Sequence, residues 1–334
     1  MSRSLKVLVA VLALACATLA AASIAGASKQ QPRKQITIGL SHYALVIPFY
    51  RSMTAGFQAT ARKYGWKVVV TDSNFDPTKQ ISNIESLIAR HVDVIVASPG
   101  DANALIPAYK EAQAAGIPIF SIANNIGPAG LKYEKGFYGA DQAGIAARRT
   151  QFLASKLNGK GDVIVIRGPS PIYFVVQDKI GYERVMHKYP NIHTVFDQNA
   201  KDLSPDEGLR LGQDAFTAHP NAQGVWVETD DLATGVDQVM RSRGVAGKIP
   251  FVSMDGSPQA FDLIKKGDLT YTLALPTYLW AQTFTTLLHS FLVDHKTLPK
   301  NMRGPVFGVT KANVAKFAAE CAQRPQEVWC GGKK

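Results

Sequence analysis

The sequence predicts an α/β protein with two Rossmann-like lobes, each built on a parallel sheet, joined by a hinge that the chain crosses several times. Three observations predict this class. The chain has 334 residues, more than a single hydrophobic core commonly holds. Apolar runs of strand length alternate with helix-length segments, which favours parallel strands joined by right-handed crossovers. The alternation occurs twice, on either side of an irregular, glycine-rich bridge at residues 123–140.

The first strand and helix are expected in residues 36–57, ITIGLSHYALVIPFYRSMTAGF. Residues 36–40 form the short apolar run of a buried strand. Pro48 has the fixed backbone angle that suits the first turn of a helix, and apolar residues recur after it at helical spacing. Ligands of open α/β sheets bind beyond the carboxyl ends of the strands. The residues that should face a crevice are therefore His42, Tyr43, Ile47, Phe49 and Tyr50.

The remaining elements follow from the same alternation. The first half predicts strands at 36–41, 67–72, 93–97 and 117–122, and helices at 48–64, 77–90 and 102–115. The second half predicts strands at 162–167, 194–197, 224–227, 249–253 and 269–273. A long amphipathic helix from Trp280 to Val293 should return to the first lobe, and the tail 305–334 should cross back. The predicted lobes are therefore 36–140 with 277–303, and 141–276 with 304–334.

Residues 1–27 have the pattern of a cleaved secretory signal. Arg3 and Lys6 give a positive start, an apolar run follows, and small residues precede Ser28 at the expected cleavage site. The alternative of a retained membrane anchor is disfavoured because the run is short and rich in alanine. The residues before Cys16 fit a lipoprotein signal poorly. The sequence therefore predicts export as a soluble protein.

The basic charge of the chain is spread out. Removing Arg3 and Lys6 lowers the formal net charge from +11 to +9. The basic residues occur singly or in pairs such as Lys265–Lys266, whereas a nucleic-acid-binding protein concentrates them on one element. We therefore expect a mixed basic surface and no nucleic-acid partner.

Two cysteines, Cys321 and Cys330, remain after the signal is removed. A pair of cysteines in an exported protein favours a disulfide, and two cysteines without nearby histidines do not make a zinc site. The chain also lacks the Gly-x-Ser-x-Gly, His-Glu-x-x-His and Walker motifs. The sequence thus predicts a disulfide, and neither catalysis, metal nor cofactor. A transcriptional regulator would carry a helix-turn-helix where the signal lies.

Several stretches, in this order and spacing, resemble the periplasmic sugar-binding proteins of ABC importers, the group that contains the ribose-binding protein. They are PFY at Pro48, the segment GWKVVVTDSNFDPTKQISNIESLIARHVDVIVASPGD, GIPIF at Gly116, AHPNAQGVWVETDDLATG from Ala218 and FVSMDGSPQAFDLIKKGDLTYTLALP from Phe251. The resemblance covers nearly the whole mature chain. It implies the type I periplasmic binding protein fold, with a ligand held between the lobes.

The resemblance also implies a set of ligand-binding residues, carried over by position. They are Tyr43, Phe49, Tyr50, Asn124, Gln177, Thr229 and Asp255. Aromatic rings would contact the C–H face of a sugar, and polar groups would bind its hydroxyls. Other roles are open: Phe49 could only pack its helix, and Asp255 could cap the helix after it. Asp230 is expected to cap the helix that begins at Asp231, and Trp226 to lie in the core.

The chain departs from the family where sugar binders commonly carry polar or charged groups. These positions are occupied by Tyr43, Ile47, Ala123, Val176 and Ala274. Each buried hydroxyl left without a partner costs roughly 1–3 kcal/mol, so the site should reject ordinary aldohexoses. We expect a smaller or less hydroxylated ligand, such as a deoxysugar, a polyol or a partly apolar metabolite.

The sequence therefore predicts an extracytoplasmic, periplasmic solute-binding component of an ABC importer, monomeric and not an enzyme. Its partners would be the small-molecule ligand and a membrane permease. The lobes would close about a hinge near Asp141, Pro276 and Gly304. The alternative is an exported sensor subunit of the same fold, which would deliver its small molecule to a chemoreceptor or sensor kinase.

Overall fold

The structure is a computed structural model and describes residues 35–170 and 172–331. The predicted signal at residues 1–27, with Cys16, lies outside the described residues. Within the described ranges, no helix has both the length and the apolar character needed to cross a membrane.

Twelve strands of the described residues form two six-stranded sheets. The first sheet contains β1 (Thr37–His42), β2 (Lys67–Asp72), β3 (Val94–Ala97), β4 (Ile119–Ile122), β5 (Gly136–Gly139) and β11 (Asn301–Arg303), in the order β11-β5-β4-β3-β1-β2. The second contains β6 (Lys160–Arg167), β7 (Asn191–Asn199), β8 (Gly224–Val227), β9 (Phe251–Asp255), β10 (Tyr271–Ala274) and β12 (Phe307–Val309), in the order β12-β10-β9-β8-β6-β7. Pairing is parallel except between β10 and β12.

Helices connect and cover the strands. They are α1 (Pro48–Lys63), α2 (Pro77–Ala89), α3 (Ile106–Ala114), α4 (Gln142–Lys156), α5 (Tyr173–Met186), α6 (Pro205–Ala218), α7 (Asp230–Ser242), α8 (Pro258–Lys266), α9 (Thr277–Leu292) and α10 (Val314–Glu320), with short 3-10 turns at Pro128–Gly130 and Val328–Cys330. Proline begins four of these helices, where its missing N–H costs no hydrogen bond. The central strands β3 and β8 are buried throughout because helices cover both faces. The two predicted α/β lobes are confirmed, one around each sheet.

The bridge at residues 123–140 is more regular than predicted. Its last part forms β5, which pairs with β4 on one side and β11 on the other. Phe137 and Tyr138 are buried in this strand. The strand has four residues and begins and ends in glycine, so it gave too short an apolar run to predict. The expectation of a wholly irregular bridge was wrong.

The C-terminal tail contacts the start of α9. The carboxylate of Glu327 accepts hydrogen bonds from the backbone N–H groups of Tyr278 at 3.0 Å and Leu279 at 3.1 Å. Through these two bonds the buried carboxylate of Glu327 caps α9, a helix that lies beside the cleft described below. Cys321 and Cys330 form a disulfide on either side of this carboxylate, with their Cα atoms 5.4 Å apart.

Candidate functional site

A cavity of about 60 Å³ lies where the carboxyl ends of strands from both sheets meet. Every residue that lines it ends a strand or follows one in the chain, as open α/β sheets require of a ligand site. The lining residues are Ile47, Phe49, Tyr50, Ala123, Asn124, Gln142, Phe174, Leu203, Thr229, Met254, Asp255, Leu275 and Trp280. The cavity is mainly apolar, with a few polar groups from opposite sides, which is typical of a small-molecule site.

The structure brings five of the seven predicted residues to this cavity, namely Phe49, Tyr50, Asn124, Thr229 and Asp255.

The other two predicted residues line neighbouring cavities. Tyr43 lines a cavity of about 300 Å³, which shares Leu203 with the first. Gln177 lines another of about 330 Å³, beside Tyr173 and Val176. Val176 thus faces a different space from Ile47 and Ala123.

Tyr50 and Asn124 form one wall of the cavity. The side-chain amide of Asn124 donates to the carbonyl oxygen of Pro99 at 3.0 Å and to the Tyr50 hydroxyl at 3.5 Å. The Phe49 and Tyr50 rings meet edge to face, with centroids 5.2 Å apart. Burial raises the pKa of Tyr50, so the phenol is neutral and can donate a hydrogen bond. Phe49 packs against the hydrophobic core as well as lining the cavity, so its two expected roles coexist.

Asp255 forms the opposite wall, on a turn with unusual backbone geometry. It ends β9 with φ of 124°, and Gly256 follows with φ of 81°. A Cβ atom on Gly256 would lie 2.4 Å from the Cβ of Ala274, so the turn requires glycine there. Capping of α8, the alternative role of Asp255, is performed by Ser257, whose hydroxyl accepts from the N–H of Ala260 at 3.1 Å.

Asp230 holds this turn, and the expectation that it caps a helix was wrong. Its carboxylate accepts from the N–H groups of Gly256 at 2.8 Å and Ser257 at 2.7 Å, and from the hydroxyls of Thr272 and Ser253. The cap of α7 is instead Thr229, whose hydroxyl accepts from the N–H of Leu232 at 3.4 Å.

Burial raises the pKa of Asp255 well above its usual range. The nearby carboxylates of Asp230 and Asp231 raise it further, whereas Arg149 and a hydrogen bond from the backbone of Asp230 lower it. Burial likewise raises the pKa of Asp230, to about 6. The carboxyl groups on this side of the cavity therefore have too little positive charge nearby to offset their burial.

The sequence predictions missed Gln142 at the cavity wall. Its amide donates to Asp178 at 2.9 Å and to the sulfur of Met254 at 3.5 Å. Asp178 belongs to a fully buried cluster with Arg149 and Glu228 beneath the cavity. Gln142 follows β5 as Asn124 follows β4, so recognising β5 would have identified it.

Arg149 also donates to the backbone carbonyl oxygens of Val227 at 3.1 Å and Glu228 at 2.8 Å. These bonds, with the ion pairs to Asp178 and Glu228, commit its guanidinium to the protein interior. Among the described residues, no group of three or more His, Cys, Asp or Glu side chains is arranged to hold a metal ion.

Comparison with known proteins gives matches over most of the chain. The sequence profile of the periplasmic binding protein domain matches residues 38–296. The ribose import binding protein of Bacillus subtilis is 27% identical over 274 residues, which cover 82% of this chain and 87% of that protein. The D-apiose import binding protein of Paraburkholderia graminis is 27% identical over 276 residues, covering 81% and 86%.

Structural comparison agrees in fold. The crystal structure of a galactofuranose binding protein aligns with a TM-score of 0.81 at 21% identity, covering 86% of this chain and 99% of that one. The relatives named here are binding proteins, and these matches support a solute-binding role. Since the family profile spans well over half of the sequence, the chain belongs to the type I periplasmic sugar-binding protein family.

Proposed function

We propose that the chain is the exported solute-binding component of an ABC importer, and that it delivers a small sugar-like or polyol ligand to a membrane permease. One observation carries this proposal: a mainly apolar cavity lined from both lobes by aromatic rings and a few polar groups. The relatives named for import of ribose and D-apiose support it. In this role the protein binds and releases its solute without chemical change.

The lining suits a ligand with one apolar face and several hydroxyls. Phe49 and Tyr50 would contact the C–H face. Asn124 would bind hydroxyls from one lobe, and Thr229 and Asp255 from the other. Tyr43 and Gln177 lie at neighbouring cavities, so we place them outside this contact set.

Closure of the lobes would couple binding to delivery. A ligand that contacts both lobes only when they are closed stabilises the closed state by its differential affinity. The hinge would lie where the chain passes between the sheets, near Asp141, Pro276 and Gly304, with the lobe limits that the sequence predicts. A monomer suffices for this mechanism, because both halves of the site come from one chain.

The departures from the family's polar pattern favour a ligand with few hydroxyls. Ile47 and Ala123 line the cavity without offering a side-chain hydrogen bond, and Ala274 packs against Gly256. A hexose would leave hydroxyls unpaired here, at roughly 1–3 kcal/mol each. We therefore expect a deoxysugar, a small polyol or a partly apolar solute to bind in preference to glucose or galactose.

A thermal-shift screen of the mature protein against pentoses, hexoses, deoxysugars and polyols tests the proposal, followed by calorimetry of each hit. We expect one-to-one binding that weakens at least about tenfold in Asn124→Ala, which loses a hydrogen bond to a buried hydroxyl. Gln177→Ala serves as the matched comparison, because it removes an amide from a neighbouring cavity. Binding that Asn124→Ala and Asp255→Asn both leave unchanged would contradict the proposed site.

A further inference from the structure

The charge at the cavity wall is one-sided. Of the thirteen residues that line it, Asp255 is the one with a carboxylate, and none is Lys, Arg or His. Asp230 and Asp231 place two further carboxylates close to Asp255. No described cationic side chain lies within ion-pair distance of any of them.

The nearest arginines are already paired. Arg149 binds Asp178 and Glu228 in the buried cluster, and Arg167 pairs with Asp197 at 2.7 Å. Asp230 is saturated by the four hydrogen bonds that hold the turn. Asp255 is thus the carboxylate left to face the cavity, with no ion-pair partner from the described residues.

Four aromatic rings line the same cavity, from Phe49, Tyr50, Phe174 and Trp280. The indole N–H of Trp280 donates to the carbonyl oxygen of Pro305 at 2.8 Å, which fixes this ring against the tail. Aromatic faces carry partial negative charge and attract cations, most strongly where water is excluded. Rings beside an uncompensated carboxylate form a site complementary to positive charge.

We propose that the solute is a small hydroxylated cation, such as an amino sugar, an amino polyol or an alkylammonium alcohol, whose charged nitrogen binds Asp255 among these rings. Its hydroxyls would bind Asn124 and Thr229. This inference rests on the proposed function and names the chemical class of its ligand. The mature chain carries a formal charge of +9, so its overall field repels cations and does not favour their unspecific binding.

The inference also predicts how binding depends on pH. In the empty cavity, burial raises the pKa of Asp255, and the nearby carboxylates of Asp230 and Asp231 raise it further. Arg149 lowers this pKa, and the phenol of Tyr50 on the opposite wall is neutral. A bound cation stabilises the carboxylate form and lowers the pKa of Asp255. Binding should therefore release a proton, and affinity should rise with pH through the pKa of the empty site.

Matched pairs of compounds that differ in charge test the inference. Suitable pairs are 3-amino-1,2-propanediol with glycerol, D-glucosamine with D-glucose, and choline with 3,3-dimethylbutan-1-ol. In calorimetry near pH 7, we expect the cationic member of at least one pair to bind about tenfold tighter than its neutral partner, or more. Asp255→Asn should abolish this ratio. Asp262→Asn, an exposed carboxylate paired with Lys265, controls for the change in net charge.

Each outcome is decisive. If neutral members bind as tightly as their cationic partners, or more tightly, the inference is overturned and the proposed function stands. If Asp262→Asn changes the ratio as much as Asp255→Asn, the preference belongs to the overall field, and the inference is again overturned. If no cationic member binds while a neutral solute from the screen does, the inference is overturned and the proposed function stands. If neither the pairs nor the screen yields a ligand, both are contradicted.

Discussion

At the scale of single residues, Asp230 holds in place the wall of the cleft that the second lobe contributes. Four donors converge on its carboxylate from β9, β10 and the turn that follows Asp255. A buried carboxylate that accepts this many bonds stabilises one backbone geometry, which here includes the positive φ of Asp255. Asp230 is therefore a positioning residue for Asp255.

Asp230→Ala should destabilise the protein and weaken solute binding together. Removing the carboxylate leaves two buried backbone N–H groups and two hydroxyls without an acceptor, so we expect a loss of about 2–4 kcal/mol in the free energy of unfolding. Urea denaturation measures this loss. Asp231→Ala, one residue along the same helix turn, is the matched control, with an expected change below about 1 kcal/mol. Equal losses in the two variants would contradict the role given to Asp230.

His42 should make the protein sensitive to acid. It is buried at the end of β1, and burial lowers its pKa from 6.5 to about 4. Between these two values the unfolded chain binds a proton that the folded protein does not, so stability falls as pH falls from about 6.5 to 4. The contribution of His42 to the loss of stability is about 3 kcal/mol.

Denaturation of His42→Phe across this pH range measures the effect. We expect a smaller loss of stability on acidification than in the wild type, because the variant has no imidazole to protonate when it unfolds. His91→Phe, an exposed histidine, should keep the wild-type slope. A wild-type slope in His42→Phe would show that other groups cause the acid sensitivity.

Single residues also show how far the sequence could predict the site. Asp255 ends β9 and Asn124 lies two residues after β4, and the family resemblance, carried over by position, predicted both at the ligand site. Asp230 was misassigned because local preference for helix capping says nothing about β10 and the turn after β9, which reach it from elsewhere in the chain. Gln177 was carried over from the family by its position in the sequence. Its position along α5 does not determine which cavity its side chain faces, and it lines a neighbouring cavity.

At the scale of elements, the tail acts as a cap for α9. Glu327 lies in the loop that the disulfide closes between Cys321 and Cys330, nine residues apart in the chain. In the same loop, the backbone carbonyl oxygen of Gln326 accepts a hydrogen bond from the hydroxyl of Ser52 in α1 at 2.7 Å. The disulfide thus holds a buried helix cap and a contact to the first lobe in one short loop. Trp280 lies in the first turn of α9, so this cap supports an aromatic wall of the cavity.

Mass spectrometry of protein from its native compartment should find Cys321 and Cys330 bridged. The paired variant Cys321→Ser with Cys330→Ser should lose roughly 2–3 kcal/mol of stability, because the unfolded chain regains the entropy of the open loop. Reducing agent should lower the melting temperature of the wild type and leave that of the paired variant unchanged. Two free thiols in the native protein would contradict the prediction.

Elements with an apolar run or period of their own could be predicted, whereas strands without one could not. The helix at 48–64 and the strand at 67–72 were expected within a residue of their bounds, because each shows its own period of apolar residues. Strands β5 and β11 have four and three residues, and they form because neighbouring strands supply their hydrogen bonds. Such pairing depends on tertiary structure and leaves little local signal in the sequence.

At the scale of the whole molecule, three crossings join the sheets beside the cleft, and hydrogen bonds tie them together. The backbone N–H of Gly304 donates to the carbonyl oxygen of Gly139 at 3.0 Å, and Arg303 donates to that of Ala140 at 3.0 Å. The Trp280 indole links the crossing after β10 to Pro305 in the same way. These bonds keep the crossings together, so a change in a few backbone angles could rotate one lobe against the other.

Small-angle scattering with and without a saturating solute from the binding screen tests the central claim, that the lobes close on a ligand in this cleft. We expect the radius of gyration to decrease on saturation, since ligand contacts from both lobes stabilise the closed state. Asp255→Asn, at the same solute concentration, should remain closer to the unliganded curve. Identical curves for the free and saturated wild type, with binding shown by calorimetry on the same sample, would contradict closure.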